Sequence, residues 1–269
     1  MGESATLNRL RSNDSRLRYL HVHQFYSLKN LGDALLRNCT VEHLSLASTR
    51  RSLTDLAWIL DAASHLPIRV LDVSAMSLTD QQLLHVVDFA MSCRTLERLE
   101  CFENHFAEAS ASLLGTAMAK HSSLRYIDVS RCGLGDSGLK LLLNPSTAEM
   151  GRASTNRPHT IRVAHNCLTN NSLEVILQYL ATNNKLRLLD TRGNFLHASI
   201  RDDIDKSTRA NREALASRRA SAVGYSLDTN ESGNRPSSAL RVLAHEVDPQ
   251  NSGHFPSLGM LCAAVEEDA

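Results

Sequence analysis

A repeated unit constrains this chain more than any other feature of its sequence. The pattern L-x-x-L-x-L-x-x-N/C-x-L recurs seven times, opening at residues 17, 41, 68, 96, 124, 158 and 186, so that most copies lie 27 or 28 residues apart. Internal periods of this length belong to stacked architectures, in which one unit cannot bury its apolar face alone. The third copy reads Ile68, Leu71, Val73 and Leu78, with Met76 at the ninth, asparagine position. The fourth to seventh follow as Leu96, Leu99, Cys101, Asn104, Phe106; Leu124, Ile127, Val129, Cys132, Leu134; Pro158, Ile161, Val163, Asn166, Leu168; and Leu186, Leu189, Thr191, Asn194, Leu196. The first two are degenerate: Leu17, Leu20 and Val22, then Val41, Leu44 and Leu46 with Leu53 arriving two residues late.

The pattern has a physical reading. Alternate residues of a short strand point to one side, so positions four and six enter a core while position five faces out. The asparagine or cysteine turns the chain inward and satisfies backbone groups left open by the turn. A helix is predicted behind each strand. Thr79-Asp80 reads as an N-cap, with Leu83, Leu84, Val87 and Met91 at helical spacing after it. Leu113, Leu114 and Ala117, and later Leu173, Ile176, Leu177 and Leu180, repeat that signal.

These residues resemble the leucine-rich-repeat family, and the spacing near 28 resembles its long-helix, ribonuclease-inhibitor-like class. The resemblance implies an α/β solenoid, a horseshoe with a parallel sheet on the concave face and helices outside, followed by a small helical tail. The expected division is a polar segment or cap at 1–16, seven repeats at 17–198, a capping helix at 199–223, a linker at 224–238 and a helix–loop–helix at 239–269. A Pro/Gly/Ser/Thr-rich insertion of about six residues interrupts the array before the sixth repeat, between Asn144 and Pro158.

The last segment resembles an EF-hand, with Asp248 at loop position one, Ser252 at five and Gly253 at the sharp turn. Position twelve is Gly259 where calcium needs a bidentate Glu, position three is Gln250, and Pro256 stands at nine. A degenerate, calcium-free loop is expected, with no metal and no cofactor.

Charge and cysteine usage narrow the function. The chain has 29 basic and 29 acidic residues, so no bulk field points to nucleic acid or to an anionic membrane. Met1–Thr6 holds no apolar run, so no secretory signal is expected. Six dispersed cysteines without a C-x-x-C pair argue against zinc and for thiols in a cytoplasmic setting. His21, His23 and His43 lack a convincing further ligand.

Candidate binding residues lie on the concave face. The fifth positions run His21, Ser45, Asp72, Glu100, Asp128, Arg162 and Asp190. Arg69, Arg125 and Arg187 stand at second positions with Glu97 between, Tyr19 and Tyr126 at third, Phe102 at seventh. This ladder is either a solvated face whose ion pairs are each worth about 0–1 kcal/mol, or a protein-binding surface anchored by arginine and aromatic side chains.

No nucleophile-elbow, phosphate-loop, dinucleotide or zinc-protease motif is present, so a non-enzymatic interaction scaffold is expected. Repeats joined to an EF-hand-like tail resemble certain leucine-rich-repeat proteins of cytoskeletal and flagellar axonemal assemblies, which implies a protein partner and a cytoskeletal or flagellar location, with no nucleic acid and no membrane. Two alternatives stay open. Ran GTPase-activating proteins share the repeat class, although no residue-level match names a catalytic position. The third is a subunit that grips one soluble partner in the arch.

Overall fold

The computed structural model describes residues 3–25, 27–49, 52–144 and 157–227. The chain divides at Leu215 into two units, and the first holds all seven strands found among the described residues. The linker, the EF-hand-like loop with Asp248, Ser252 and Gly253, and the core of the insertion before the sixth repeat lie outside the described residues.

Strands and helices alternate along the chain. The order is α1 (Glu3–Arg11), β1 (Tyr19–His21), α2 (Leu28–Leu35), β2 (His43–Ser45), α3 (Leu53–Ala62), β3 (Val70–Asp72), α4 (Asp80–Ser92) and β4 (Arg98–Glu100). It continues α5 (Glu108–Lys120), β5 (Tyr126–Asp128), α6 (Gly135–Leu143), β6 (Thr160–Arg162), α7 (Leu173–Thr182), β7 (Leu188–Asp190) and α8 (Ala198–Leu227). The seven strands form one parallel sheet in sequence order. Register keeps repeat positions aligned throughout: Leu44 faces Leu71, Leu71 faces Leu99, and Leu99 faces Ile127. Neighbouring strands sit about 4.8 Å apart and packed helices about 8–10 Å. That mismatch bends such a stack and puts the sheet on its inner side.

The leucines of the pattern do what their spacing requires. Leu20, Leu44, Leu71, Leu99, Ile127 and Ile161, at position four, are fully buried, as are Val22, Leu46, Val73, Cys101, Val129 and Val163 at position six. Several helix residues face differently from their sequence reading. Leu53 is the first residue of α3, after Ser52 has capped it by accepting from the Asp55 N–H, and it is exposed instead of completing the second repeat. Leu84, Met91 and Leu177 are also exposed, whereas Val86, Phe89 and Ala90 of α4 are buried. Helices that back a sheet turn only one side inward, and here that side is rotated from the leucine stripe. Thr79 and Gln82 form a complete capping box at the start of α4.

Between strand and helix the chain makes a turn whose groups are satisfied by the next repeat. Asn166, fully buried, accepts from the N–H groups of Cys132 (2.9 Å) and Leu134 (3.2 Å) in the fifth repeat, and its amide donates to the Val129 carbonyl at 2.8 Å. Asn194 repeats this for Asn166 and Leu168, and Asn104 accepts from Leu78. Position eight, in turn, is left-handed in six successive repeats, at Ser48, Ala75, Glu103, Arg131, His165 and Gly193. This twist lets each of the first five donate its N–H to the position-seven carbonyl of the following repeat, as Ala75 does to Phe102 at 2.9 Å. Only Gly193 adopts that conformation without a steric cost.

A second ladder, at Asn38, His65, Cys93, His121 and Asn183, three residues before the second to fifth and the seventh repeats, has no counterpart in the consensus. Asn38 donates to the Leu10 carbonyl and accepts from Thr40 and Val41 N–H groups. His65 Nε2 meets the Asn38 carbonyl, His121 Nε2 meets those of Ala90 and Cys93, and Asn183 donates to that of Pro158. The C-terminal end is closed in the same language. Asn211 of α8, 28 residues beyond Asn183, donates to the Asn183 and Leu186 carbonyls, while Arg212 donates to that of Arg187. Side chains of one helix thus take the place of an eighth repeat. At the other end Leu7 and Leu10 of α1 are buried, and Asn13 accepts from the Cys39 N–H.

Two substitutions test these ladders. Asn166→Ala strands buried donors and acceptors and should cost about 2–4 kcal/mol, measured by urea unfolding. Ala75→Gly relieves a left-handed alanine (φ 54°) and should raise stability by about 0.5–1 kcal/mol in the same assay.

Candidate interaction face

The inner face is built from positions two, three, five, seven and eight of each repeat, because the alternation that buries positions four and six turns their neighbours outward. Its carboxylates are not a solvated ladder. Asp72, Asp128 and Asp190 are buried, and each uses one oxygen to end its own strand by accepting the N–H two residues on, at Ser74 (3.0 Å), Ser130 (2.9 Å) and Arg192 (3.3 Å). Their remaining oxygens find side chains: Ser45 Oγ donates to Asp72 at 2.9 Å, and Tyr126 Oη to Asp128 at 3.2 Å.

Nor do Arg69 and Arg18, at second positions, pair with those acids. Arg69 reaches sideways to Glu97 at 3.0 Å, and Arg18 to Glu42 at 3.2 Å. The ion-pair partners of the fifth-position acids are Arg98, Arg162 and Arg192. Arg98 pairs with Glu100 and lays its guanidinium over the Tyr126 ring at 3.7 Å. Arg162, itself at position five, lies between Asp128 (3.6 Å) and Asp190 (3.2 Å). Arg192 grips both oxygens of Asp190 at 2.8 Å. Arg98 and Arg192 had no special place in the sequence pattern, although their spacing of two residues from Glu100 and Asp190 puts each pair on one side of a strand.

The electrostatic consequences follow from burial and partners. Burial pushes the Asp190 carboxyl up, but the Arg192 and Arg162 guanidiniums outweigh it and hold the pKa below its usual value. Burial raises Glu100, with only partial relief from Arg98. It also drives the Tyr126 phenol to about 12, so its hydroxyl stays protonated and donates to Asp128.

The sequence-predicted residues therefore fall into two groups. Tyr19 (44% exposed), Phe102 (36%), Arg69 and Arg125 are open to a partner, and Arg187 and Tyr126 are half-buried. Asp72, Asp128 and Asp190 are buried, and Glu100 and Arg162 half-buried, in internal pairing. A shallow groove of about 440 Å³ runs across the first five repeats, bounded by Arg18, Tyr19, Arg69, Arg98, Arg125 and Tyr126 with Glu42 and Glu97 between them. No group of three or more His, Cys, Asp or Glu side chains suited to a metal occurs among the described residues, and no helix there is long and apolar enough to cross a membrane.

An aromatic cluster closes the N-terminal end of the groove. The Tyr19 ring lies 3.9 Å from that of His43 and 4.4 Å from that of His21. His43 Nε2 is buried without a hydrogen-bond partner among the described residues. Burial depresses its pKa to about 4, with His21 and Arg98 adding to the effect and Asp72 opposing it.

No protein-family model matches the chain, and comparison with curated proteins gives no match. Among solved structures, the C-terminal domain of tropomodulin from Caenorhabditis elegans is 12% identical, with a TM-score of 0.41 over 81% of this chain and 98% of that one. Actin-binding site 2 of leiomodin-1 is 10% identical, with a TM-score of 0.43 over 82% of this chain and 96% of that one. Likenesses this loose leave the fold resting on the register of its own strands.

His43 gives a test by pH. Its folded pKa (about 4) lies below its unfolded value (6.5), so the neutral form favours folding. That contribution is complete above pH about 6.5 and is lost as pH falls toward 4. The drop in urea midpoint between pH 7 and pH 5 should be smaller in His43→Gln than in the parent.

Proposed function

We propose that this chain is a non-enzymatic scaffold that holds a protein partner against the inner face of its repeat sheet. The supporting observation is the division of labour on that face. The buried acids are saturated by their own neighbours, while Tyr19, Arg69, Phe102 and Arg125 stand open along and beside a groove of about 440 Å³. Arginine and aromatic side chains are the types that anchor protein interfaces, since each brings a large contact area together with hydrogen-bond donors or a π-face. A rigid stack suits this role, because its side chains are fixed before the partner arrives and lose little freedom on binding.

The setting we propose, a cytoskeletal or flagellar axonemal assembly in the cytoplasm, comes from the sequence resemblance of repeats joined to an EF-hand-like tail. Calcium and cofactors have no part in it.

Affinity purification with mass spectrometry, followed by reconstitution of the binary complex, tests the reading. Phe102→Ala combined with Arg69→Glu should weaken that complex at least tenfold, given about 1–2 kcal/mol or more for each anchor. Lys120→Glu on α5 should leave it unchanged. Equal binding by parent and double variant would exclude the inner face as the site. Co-sedimentation with actin filaments or microtubules addresses the setting, and unchanged GTP hydrolysis by small GTPases is expected.

A further inference from the structure

The inner face is electrically polarised along the stack. In repeats one to four, Arg18, Arg69 and Arg98 are each paired with Glu42, Glu97 and Glu100. Asp72 and Glu103 are left over, so that end carries surplus negative charge.

Repeats five to seven are the reverse. They place Arg125, Arg131, Arg162, Arg187 and Arg192 at inward positions against only Asp128 and Asp190. Both carboxylates are already saturated, with Arg162 between them and Arg192 on Asp190. Arg125 and Arg131 are exposed and form no ion pair among the described residues, and the Arg192 side chain is 76% exposed even while paired. Leu188, 38% exposed at the third position of the seventh repeat and the first residue of β7, gives the same region an apolar patch.

We infer that repeats five to seven receive a carboxylate-rich segment of a protein partner, held by Arg125 and Arg131 with Arg192 at its far end. This rests on the reading of the inner face as the docking site and specifies the chemistry of what docks there. Charge complementarity selects the occupant. A set of three guanidiniums, on Arg125, Arg131 and the exposed Arg192, suits a short segment with a few acidic side chains. It is too small for a polyanion such as nucleic acid, whose affinity grows with every phosphate neutralised. Guanidiniums also suit carboxylates by geometry, since two N–H groups can meet two oxygens at once. The acidic first four repeats would repel the same segment, so it has one preferred place along the stack.

The test uses the full chain and fluorescence anisotropy of a short labelled Glu-rich peptide, with a Lys-rich peptide and a single-stranded DNA of equal length for comparison. The Glu-rich peptide should bind in low salt and weaken as ionic strength rises. Arg125→Glu with Arg131→Glu should weaken it about tenfold or more, whereas the equal charge change Lys29→Glu on α2 with Lys120→Glu on α5, away from the inner face, should change it less than about twofold. Absence of binding, equal loss in both double variants, or tighter binding of the DNA would overturn the inference. Circular dichroism melts of each variant separate lost binding from lost folding. If the peptide fails but the partner complex remains sensitive to Phe102→Ala with Arg69→Glu, the docking face stands and only its proposed chemistry falls.

Discussion

Everything in this molecule depends on a debt passed from one repeat to the next. A strand of three residues followed by a tight turn leaves amides and carbonyls that the unit cannot pair within itself, and buried groups left unpaired are expensive. The following repeat supplies the partners: an asparagine amide inside the turn, a position-seven carbonyl for the left-handed amide, and a polar side chain at the end of the preceding helix. These requirements recur at the same spacing as the leucines. Packing and polar pairing therefore fix the same register, which is why the seven strands align without a slip.

That coupling also explains the composition of the inner face. Aspartate at position five closes its own strand by accepting the amide two residues on, and this claims one carboxylate oxygen at Asp72, Asp128 and Asp190. The other oxygen is then met by a hydroxyl or a guanidinium. The carboxylates become part of the scaffold and the arginines become its surface, so polarity along the stack is decided by which arginines are left over.

The repeat itself was legible because leucine spacing reports burial directly. Leu71, Leu99 and Ile127 sit where their positions in the pattern put them. Less was legible on the helices. Leu84, Met91 and Leu177 share a spacing with truly buried residues, yet lie on the outer side, since spacing alone does not say how a helix is rotated about its axis. The carboxylate ladder was visible as an alignment but not as a set of strand terminators, because a solvated aspartate and a buried one look alike in sequence. The second polar ladder is hidden in the sequence for another reason. Asn38, His65, Cys93, His121 and Asn183 share a position but not a residue type, and only their common hydrogen-bonding capacity unites them.

Asn211 and Arg212 cover the carbonyls of Asn183, Leu186 and Arg187, the same groups that an incoming repeat would otherwise meet. An open parallel edge is a template, and a chain whose every internal edge recruits another unit would recruit a second molecule at its last one. The closing helix therefore occupies the carbonyls through which a further repeat would attach. It ends an architecture that is extensible by nature, and it does so at Asn211, the residue 28 places after Asn183 where the next rung of the polar ladder is due.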